Sequence, residues 1–251
     1  MSPILLEGGA EFGGRMSEPD LRAIELAGGF DVPIRILPTA AAADNNHVRA
    51  GNNGARWFKS LGARDVEVTF VIDKASANDE AIAASLRSAK LIYLLGGFPR
   101  FTGETLAGSL AWRAMLAAHQ NGAVLAGSSA GAMVLCEHYY DPYEGKLLQG
   151  LNLVPNACVL PHHNHFGQRW AAQLIKKIPA ATLIGIDERT GMILESGSSA
   201  ALGLDTIGRA PTYSTISSAL SGVWTVHGAG QVTLYRGGQI ETLKRGGTFS
   251  L

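Results

Sequence analysis

Short runs of aliphatic and β-branched residues alternate along the chain with longer segments whose apolar positions recur at helical spacing. "VPIRILPT" (32–39), "DVEVTFVID" (65–73), "KLIYLLGG" (90–97), "GAVLAG" (122–127), "ACVLPH" (157–162) and "TLIGIDE" (182–188) read as strands, each run ending in glycine, proline or aspartate. Helices are expected over 45–63, 78–89, 103–120 and 167–178. An earlier helix is announced by "SEPDLRAIELAGG", with Ser17 as N-cap, Pro19 in the first turn, Asp20 at the capping-box position and Gly28 after the last turn.

Alternating strand and helix, with strands apolar nearly throughout, predicts an α/β fold: a three-layer α/β/α arrangement around a mostly parallel sheet covered on both faces. From about residue 190 the pattern changes to strand and turn. "VWTVHGAGQVTLYRGGQIETL" (223–243) predicts antiparallel strands added at the sheet edge, as a C-terminal extension (about 190–251) of one domain spanning 1–251.

Composition narrows the function classes. Of 251 residues, 46% are hydrophobic and 17% charged, which fits a compact enzyme and not a disordered chain. Lys plus Arg (21) equals Asp plus Glu (21) without long blocks of either sign, so neither nucleic acid nor an anionic membrane is an expected partner. Cys136 and Cys158 sit in apolar runs as core thiols and cannot make a disulfide framework. With no basic leader and no spanning apolar run, a cytoplasmic protein is expected.

In a parallel sheet, ligands bind beyond the carboxyl ends of the strands, where the turns after "KLIYLL", "AVLA", "ACVL" and "LIGI" converge. Within "AVLAGSSAGAMVL", Gly127-Ser128-Ser129-Ala130-Gly131 matches G-x-S-x-G between a predicted strand and a predicted helix. Such a sharp elbow projects the central serine outward and tolerates only small neighbours. Ser129 is therefore the candidate nucleophile, and the Ala130 N–H at the helix start is a candidate oxyanion donor.

A serine hydroxyl needs a base. "VLPHHNHFGQRW" supplies His162, His163 and His165 after a strand at the same edge; one is expected to be the base, with the others as surface or substrate-contact residues. The alternative use of the three histidines is a metal site in a metal-dependent hydrolase. "GIDERTG" then offers Asp187 and Glu188, either of which can orient an imidazole. The order Ser, His, acid differs from the Ser, acid, His order of ordinary lipases and esterases.

Together with "LLEGGAEF", "RILPTA", "YLLGGFPRFTGETL", "LNLVPNACVLPHHNHFGQRW" and "LIGIDERTG", these motifs resemble the cyanophycinase and aspartyl dipeptidase (dipeptidase E) group of serine peptidases, whose fold is similar to the class I glutamine amidotransferases. The resemblance covers most of the chain. It implies a Ser129–His162–Glu188 triad, with His165 as the alternative base because the family pattern also fits its His-Phe pair. It implies a second oxyanion donor in the Gly96-Gly97 turn, at Gly97, and no metal or organic cofactor. The expected substrate is a short peptide or isopeptide, with an aspartyl bond cleaved by a monomer or homodimer.

One departure concerns the loop beside the scissile bond, where the family often carries a polar pair and this chain has Phe98-Pro99. Phe98 and His163 are candidate substrate contacts, and Arg100 and Arg169 candidate forks for a substrate carboxylate. The altered loop and the irregular histidine cluster also motivate a competing reading, a non-catalytic binding module on the same scaffold.

Overall fold

A computed structural model describes residues 2–195 and 222–251. The described chain begins β1 (Ile4–Glu7), α1 (Ser17–Ala27), β2 (Ile34–Leu37), α2 (His47–Ser60), β3 (Val66–Val68), α3 (Glu80–Ser88) and β4 (Leu91–Leu94). It continues with α4 (Pro99–Leu106), α5 (Leu110–Gln120), β5 (Val124–Ser128), α6 (Ala130–Leu135), β6 (Cys136–Asp141), β7 (Lys146–Gln149) and β8 (Val154–Leu160). The remaining elements are α7 (Gln168–Lys177), β9 (Thr182–Ile186), β10 (Thr190–Glu195), β11 (Val223–Gly228), β12 (Gln231–Arg236), β13 (Gln239–Lys244) and β14 (Thr248–Phe249).

Eight strands form one sheet in the order β14-β11-β10-β1-β5-β4-β2-β3. Its β1, β5, β4, β2 and β3 are mutually parallel, and β10, β11 and β14 extend it antiparallel. Alternation of side chains across each strand divides the core. Leu5, Ile36, Leu91 and Tyr93 pack with Ala23 and Ile24 of α1 and Phe58 of α2. Leu6, Ile92, Leu94 and Leu125 face the other way, toward Leu86 of α3 and Trp112 and Met115 of α5. Helices therefore cover both faces, as the apolar strands require.

The "ACVL" and "LIGI" strands do not join that sheet. β8 and β9 lie at the centre of a second sheet, β13-β12-β9-β8-β6-β7, in which β6, β8 and β9 are parallel. α6 makes the crossing from β5 to β6, and all six of its residues are buried. Val159 and Ile184 join the large core, whereas Cys158, Leu160 and Leu183 pack under α7 with Ala171 and Leu174. The C-terminal strands divide accordingly, β11 and β14 to the first sheet and β12 and β13 to the second. Residues 196–221 of the expected extension lie outside the described residues.

Local chemistry accounts for the other differences. The helix expected over 103–120 is two, because Gly108 takes φ 69° and Ser109 starts α5 afresh, its hydroxyl accepting the Trp112 amide at 3.0 Å. The long strand expected at 65–73 is the three-residue edge strand β3. Ser17 and Asp20 form no capping box: Ser17 Oγ donates to Gly14 O, and Asp20 is fully buried. Gly28 ends α1 in the left-handed region at φ 113°, as expected. Cys136 and Cys158 are buried thiols whose pKa burial raises, that of Cys158 to about 12. Among the described residues no helix is long and apolar enough to cross a membrane.

Candidate active site

The carboxyl ends of β1, β4 and β5 from the first sheet and of β8 and β9 from the second meet at one place, and the predicted chemistry-bearing turns follow four of them. After β5 the chain bends at Ser129, which sits at φ 48°, ψ −112° immediately before α6. A non-glycine residue at such angles costs about 1–3 kcal/mol and needs its surroundings to hold it. Ser129 N donates to Glu7 O at 3.0 Å on one side, and Ser129 O accepts from Met133 N at 3.0 Å on the other. The flanking glycines are steric necessities. A Cβ on Gly127 would lie 2.5 Å from the Gly131 carbonyl carbon, and one on Gly131 2.3 Å from Leu94 O.

His162 follows β8 in a left-handed conformation (φ 48°, ψ 40°). Its N–H donates to Gly8 O at 2.7 Å, and its carbonyl accepts from the amides of His165, Phe166 and Gly167, closing a single π-helical turn over His163–Gly167. The ring lies against Gly9, where a Cβ would approach its Cε1 to 2.3 Å, and Phe166 stacks on the ring at 4.8 Å between centroids. So held, His162 Nε2 is 3.0 Å from Ser129 Oγ, and Nδ1 is 2.7 Å from Glu188 Oε1.

Glu188 is fixed in turn by its amide, which donates to Asn164 Oδ1 at 2.9 Å, and His165 Nε2 stands 3.2 Å from its second oxygen. The hydrogen bond from His162 is the main reason the Glu188 carboxyl titrates below its ordinary value; the charges of His162, His165 and Arg189 act in the same direction. It therefore stays ionised through the neutral range.

The other predicted residues fall into different places. Asp187 faces away from His162: its Oδ2 accepts the Gln231 amide at 3.1 Å, tying β9 to β12. His163 is 5% exposed, with Nε2 2.9 Å from Tyr235 Oη and Nδ1 3.6 Å from Asp187, and burial lowers its pKa. It is a core residue flat against Gly185 and not a substrate contact. Of the three histidines, His162 and His165 thus turn toward Glu188 and His163 toward Tyr235.

Arg100 is engaged by Glu104 at 2.7 Å and by Glu144, so two carboxylates already occupy the fork expected for substrate. Arg169 is exposed on α7. Phe98 stacks on Tyr143 at 4.8 Å. Gly97 takes φ 141°, with Ala40 O where a Cβ would stand, and a Cβ on neighbouring Gly96 would be 3.2 Å from Ser129 Cβ. The Gly96-Gly97 turn therefore runs beside Ser129.

Three charged residues beside the site were not among the candidate site residues, although Glu11 falls within "LLEGGAEF" and Arg189 within "LIGIDERTG". Glu11, Arg15 and Arg189 line a cleft of about 560 Å³ together with Ala10 and Ala229. Arg189, next to Glu188, is held at φ 57° by its amide donating to Gly9 O and its carbonyl accepting from Ala229 N. Neither Arg15 nor Arg189 has an ion-pair partner among the described residues.

Directly behind the elbow lies a second acidic group. Glu7, whose carbonyl holds Ser129, is completely buried, as is Asp20. Tyr93 Oη donates to Glu7 Oε2 and Trp57 Nε1 to Asp20 Oδ2 at 2.7 Å. Among the described residues Glu7 Oε1 and Asp20 Oδ1 have no partner outside the pair, and a hydrogen bond between the two carboxyls requires one of them to carry a proton. Burial raises Asp20 to about 7 and Glu7 well above its ordinary value, with their mutual repulsion adding to Glu7. A carboxyl raised on folding makes the native state bind more protons than the unfolded chain, so its contribution to stability falls as pH rises between the two pKa values. Urea unfolding of wild type and Asp20→Asn is therefore expected to shift in favour of the variant from about pH 4 to about pH 7. A constant difference across that range would mean the pair is not protonated.

The chain is similar to known proteins over most of its length. The model of peptidase family S51 matches residues 5–202. The cyanophycinase of Geminocystis herdmanii (strain PCC 6308) is 27% identical over 205 residues, covering 77% of this chain and 74% of that protein. That of Synechococcus elongatus is 27% identical over 207 residues, and the match spans 62% of its length. The crystal structure of a peptidase from an acI-B1 Actinobacterium superposes with a TM-score of 0.82 at 26% identity, covering 100% of this chain and 97% of that one. A Listeria monocytogenes EGD-e structure named for peptidase E, 17% identical with a TM-score of 0.56 over 97% of this chain and 98% of that one, shares the fold. With four-fifths of its length matched by the family model and its serine elbow at the meeting point of the strand ends, the chain belongs to peptidase family S51 and is a serine peptidase.

Proposed function

We propose that Ser129, His162 and Glu188 act as a catalytic triad that hydrolyses a short peptide or isopeptide bond through an acyl-enzyme. The observation that carries the reading is the unbroken line of contacts from Ser129 Oγ through the imidazole to Glu188, at 3.0 and 2.7 Å. Ser129 Oγ attacks the scissile carbonyl while His162 Nε2 takes its proton. The carbonyl electrons move onto oxygen, toward the amides of Ala130 and Gly97. Glu188 stabilises the imidazolium through Nδ1–H. Collapse of the intermediate breaks the C–N bond as His162 returns the proton to the leaving amine. Water then enters, His162 takes its proton, and a second collapse frees the acid and restores the Ser129 hydroxyl.

Two features favour an acidic residue on the substrate. Arg15 and Arg189 bring to the cleft beside Glu188 guanidiniums with no ion-pair partner among the described residues, a donor set suited to a carboxylate. Two of the aligned relatives are cyanophycinases. The aspartyl bond expected from sequence is thus retained, with Arg189 and Arg15 as its readers in place of Arg100.

Reaction with an activated fluorophosphonate, followed by peptide mapping, tests the triad. Stoichiometric modification of Ser129 is expected. Absence of labelling in folded protein would reject the activated nucleophile and favour the binding-module reading.

A further inference from the structure

We propose that Glu7 and Asp20 are positioning residues for the triad: a proton held between their buried carboxyls fixes the end of β1, and the triad loses its alignment when that proton leaves. The inference rests on the Ser129–His162–Glu188 reading. Three consecutive carbonyls at the end of β1 hold the three turns that carry those residues. Glu7 O accepts from Ser129 N at 3.0 Å, Gly8 O from His162 N at 2.7 Å, and Gly9 O from the amide of Arg189, next to Glu188, at 3.0 Å. This short segment joins the Ser129 turn of the first sheet to the His162 and Glu188 turns of the second.

Gly8 and Gly9 have no side chains to anchor the segment, and neither position has room for one. A Cβ on Gly8 would lie 2.2 Å from Asp187 O, and one on Gly9 2.3 Å from His162 Cε1. The anchor is therefore the Glu7 side chain, which reaches Tyr93 of β4 and Asp20 of α1. Asp20 is held in turn by Trp57 Nε1 of α2 at 2.7 Å. Both carboxyls are completely buried, and Glu7 Oε1 and Asp20 Oδ1 have no partner outside the pair among the described residues. Beside Glu7 on β5 and β10 lie its ladder partners Ser128 and Gly191, both uncharged. Burial keeps Tyr93 protonated, and the negative charge of Glu11, on the loop after β1, helps to retain the proton on the pair.

With one proton between them, the two carboxyls form a hydrogen-bonded unit of single charge. Without it, two negative charges meet inside the core with only the Tyr93 hydroxyl and the Trp57 N–H to stabilise them. Separating them moves Glu7, and with it the carbonyls that seat Ser129 and His162. A displacement of about 1 Å between reacting groups is enough to cost about 100-fold in rate.

The test follows the rate at which an uncharged fluorophosphonate labels Ser129 from about pH 6 to about pH 10, with circular dichroism on the same samples, in wild type and Asp20→Asn. Asparagine keeps the acceptor for Trp57 and presents a fixed N–H to Glu7, so the pair has no shared proton to lose. Wild type is expected to lose at least about tenfold in labelling rate on the alkaline side with its circular dichroism unchanged, and Asp20→Asn to hold its plateau. A flat alkaline profile in wild type overturns the proposal, as does a fall that accompanies unfolding. A fall that persists at the same pH in Asp20→Asn also overturns it, because a merely structural role lowers the rate without moving the profile. Absence of labelling at every pH removes the triad itself, and the proposal with it. Should Asp20→Asn fail to fold, Trp57→Phe decides: it takes away the donor to Asp20 Oδ2, the proton is held more tightly, and the fall moves up by about one pH unit. A fall that stays in place in Trp57→Phe overturns the proposal.

Discussion

Ser129→Ala is expected to lower kcat by about 10⁵- to 10⁶-fold with the fold intact. Alanine meets the same backbone angles at the same cost, because the strain at φ 48° comes from Cβ and not from the hydroxyl. What disappears is the attacking oxygen and its hydrogen bond to His162, worth about 1 kcal/mol to stability. Chemical denaturation should consequently find the variant within about 1 kcal/mol of wild type, while turnover of a peptide substrate becomes undetectable. Activity within a hundredfold of wild type would place the nucleophile elsewhere.

The second large effect separates two histidines three positions apart. His162→Ala is expected to cost about as much as loss of the serine, since members of a triad act as one unit. His165→Ala should change kcat by less than about fivefold. Its ring is 59% exposed and meets the second oxygen of Glu188 at 3.2 Å. Exposed ion pairs of this kind contribute at most about 1 kcal/mol. Steady-state kinetics on the two variants, with Ser129 labelling rates beside them, checks the assignment. The opposite ranking would move the base to His165 and require the π-helical turn to rearrange.

How much of this was legible in the residues depends on what kind of signal each feature leaves. The elbow was readable because tight backbone packing admits only small side chains, and the contacts that Gly127 and Gly131 would make show why. Glu188 and Asp187 stood as equals by pattern alone. Consecutive residues leaving a strand face opposite ways, and only tertiary structure shows that one meets His162 and the other the Gln231 amide. His163 looked like its neighbours for the same reason, yet its ring is buried against Tyr235.

The second sheet left no trace, because the period of a strand reports which face is buried and not which strands pair with it. Arg100 seemed available until Glu144, 44 positions further on, was found beside it. The buried acid pair does leave a hint in "ILLEGG", where a glutamate ends an otherwise apolar strand, but the position of its partner Asp20 in the first turn of a helix is equally that of a capping box.

Ser129 follows a strand of the first sheet, whereas His162 and Glu188 follow strands of the second, so the proposed triad is complete only when both sheets are in place. Ser129 leaves the ribosome 33 residues ahead of His162 and 59 ahead of Glu188. β9 finds its β12 neighbour still later in the chain. On the proposed triad, the growing polypeptide carries an inert serine until the second sheet has formed, and peptide cleavage begins only when the two sheets have docked. Recovery of activity during refolding should be the last signal to return, behind secondary structure, which makes the triad an internal clock for completion of the fold.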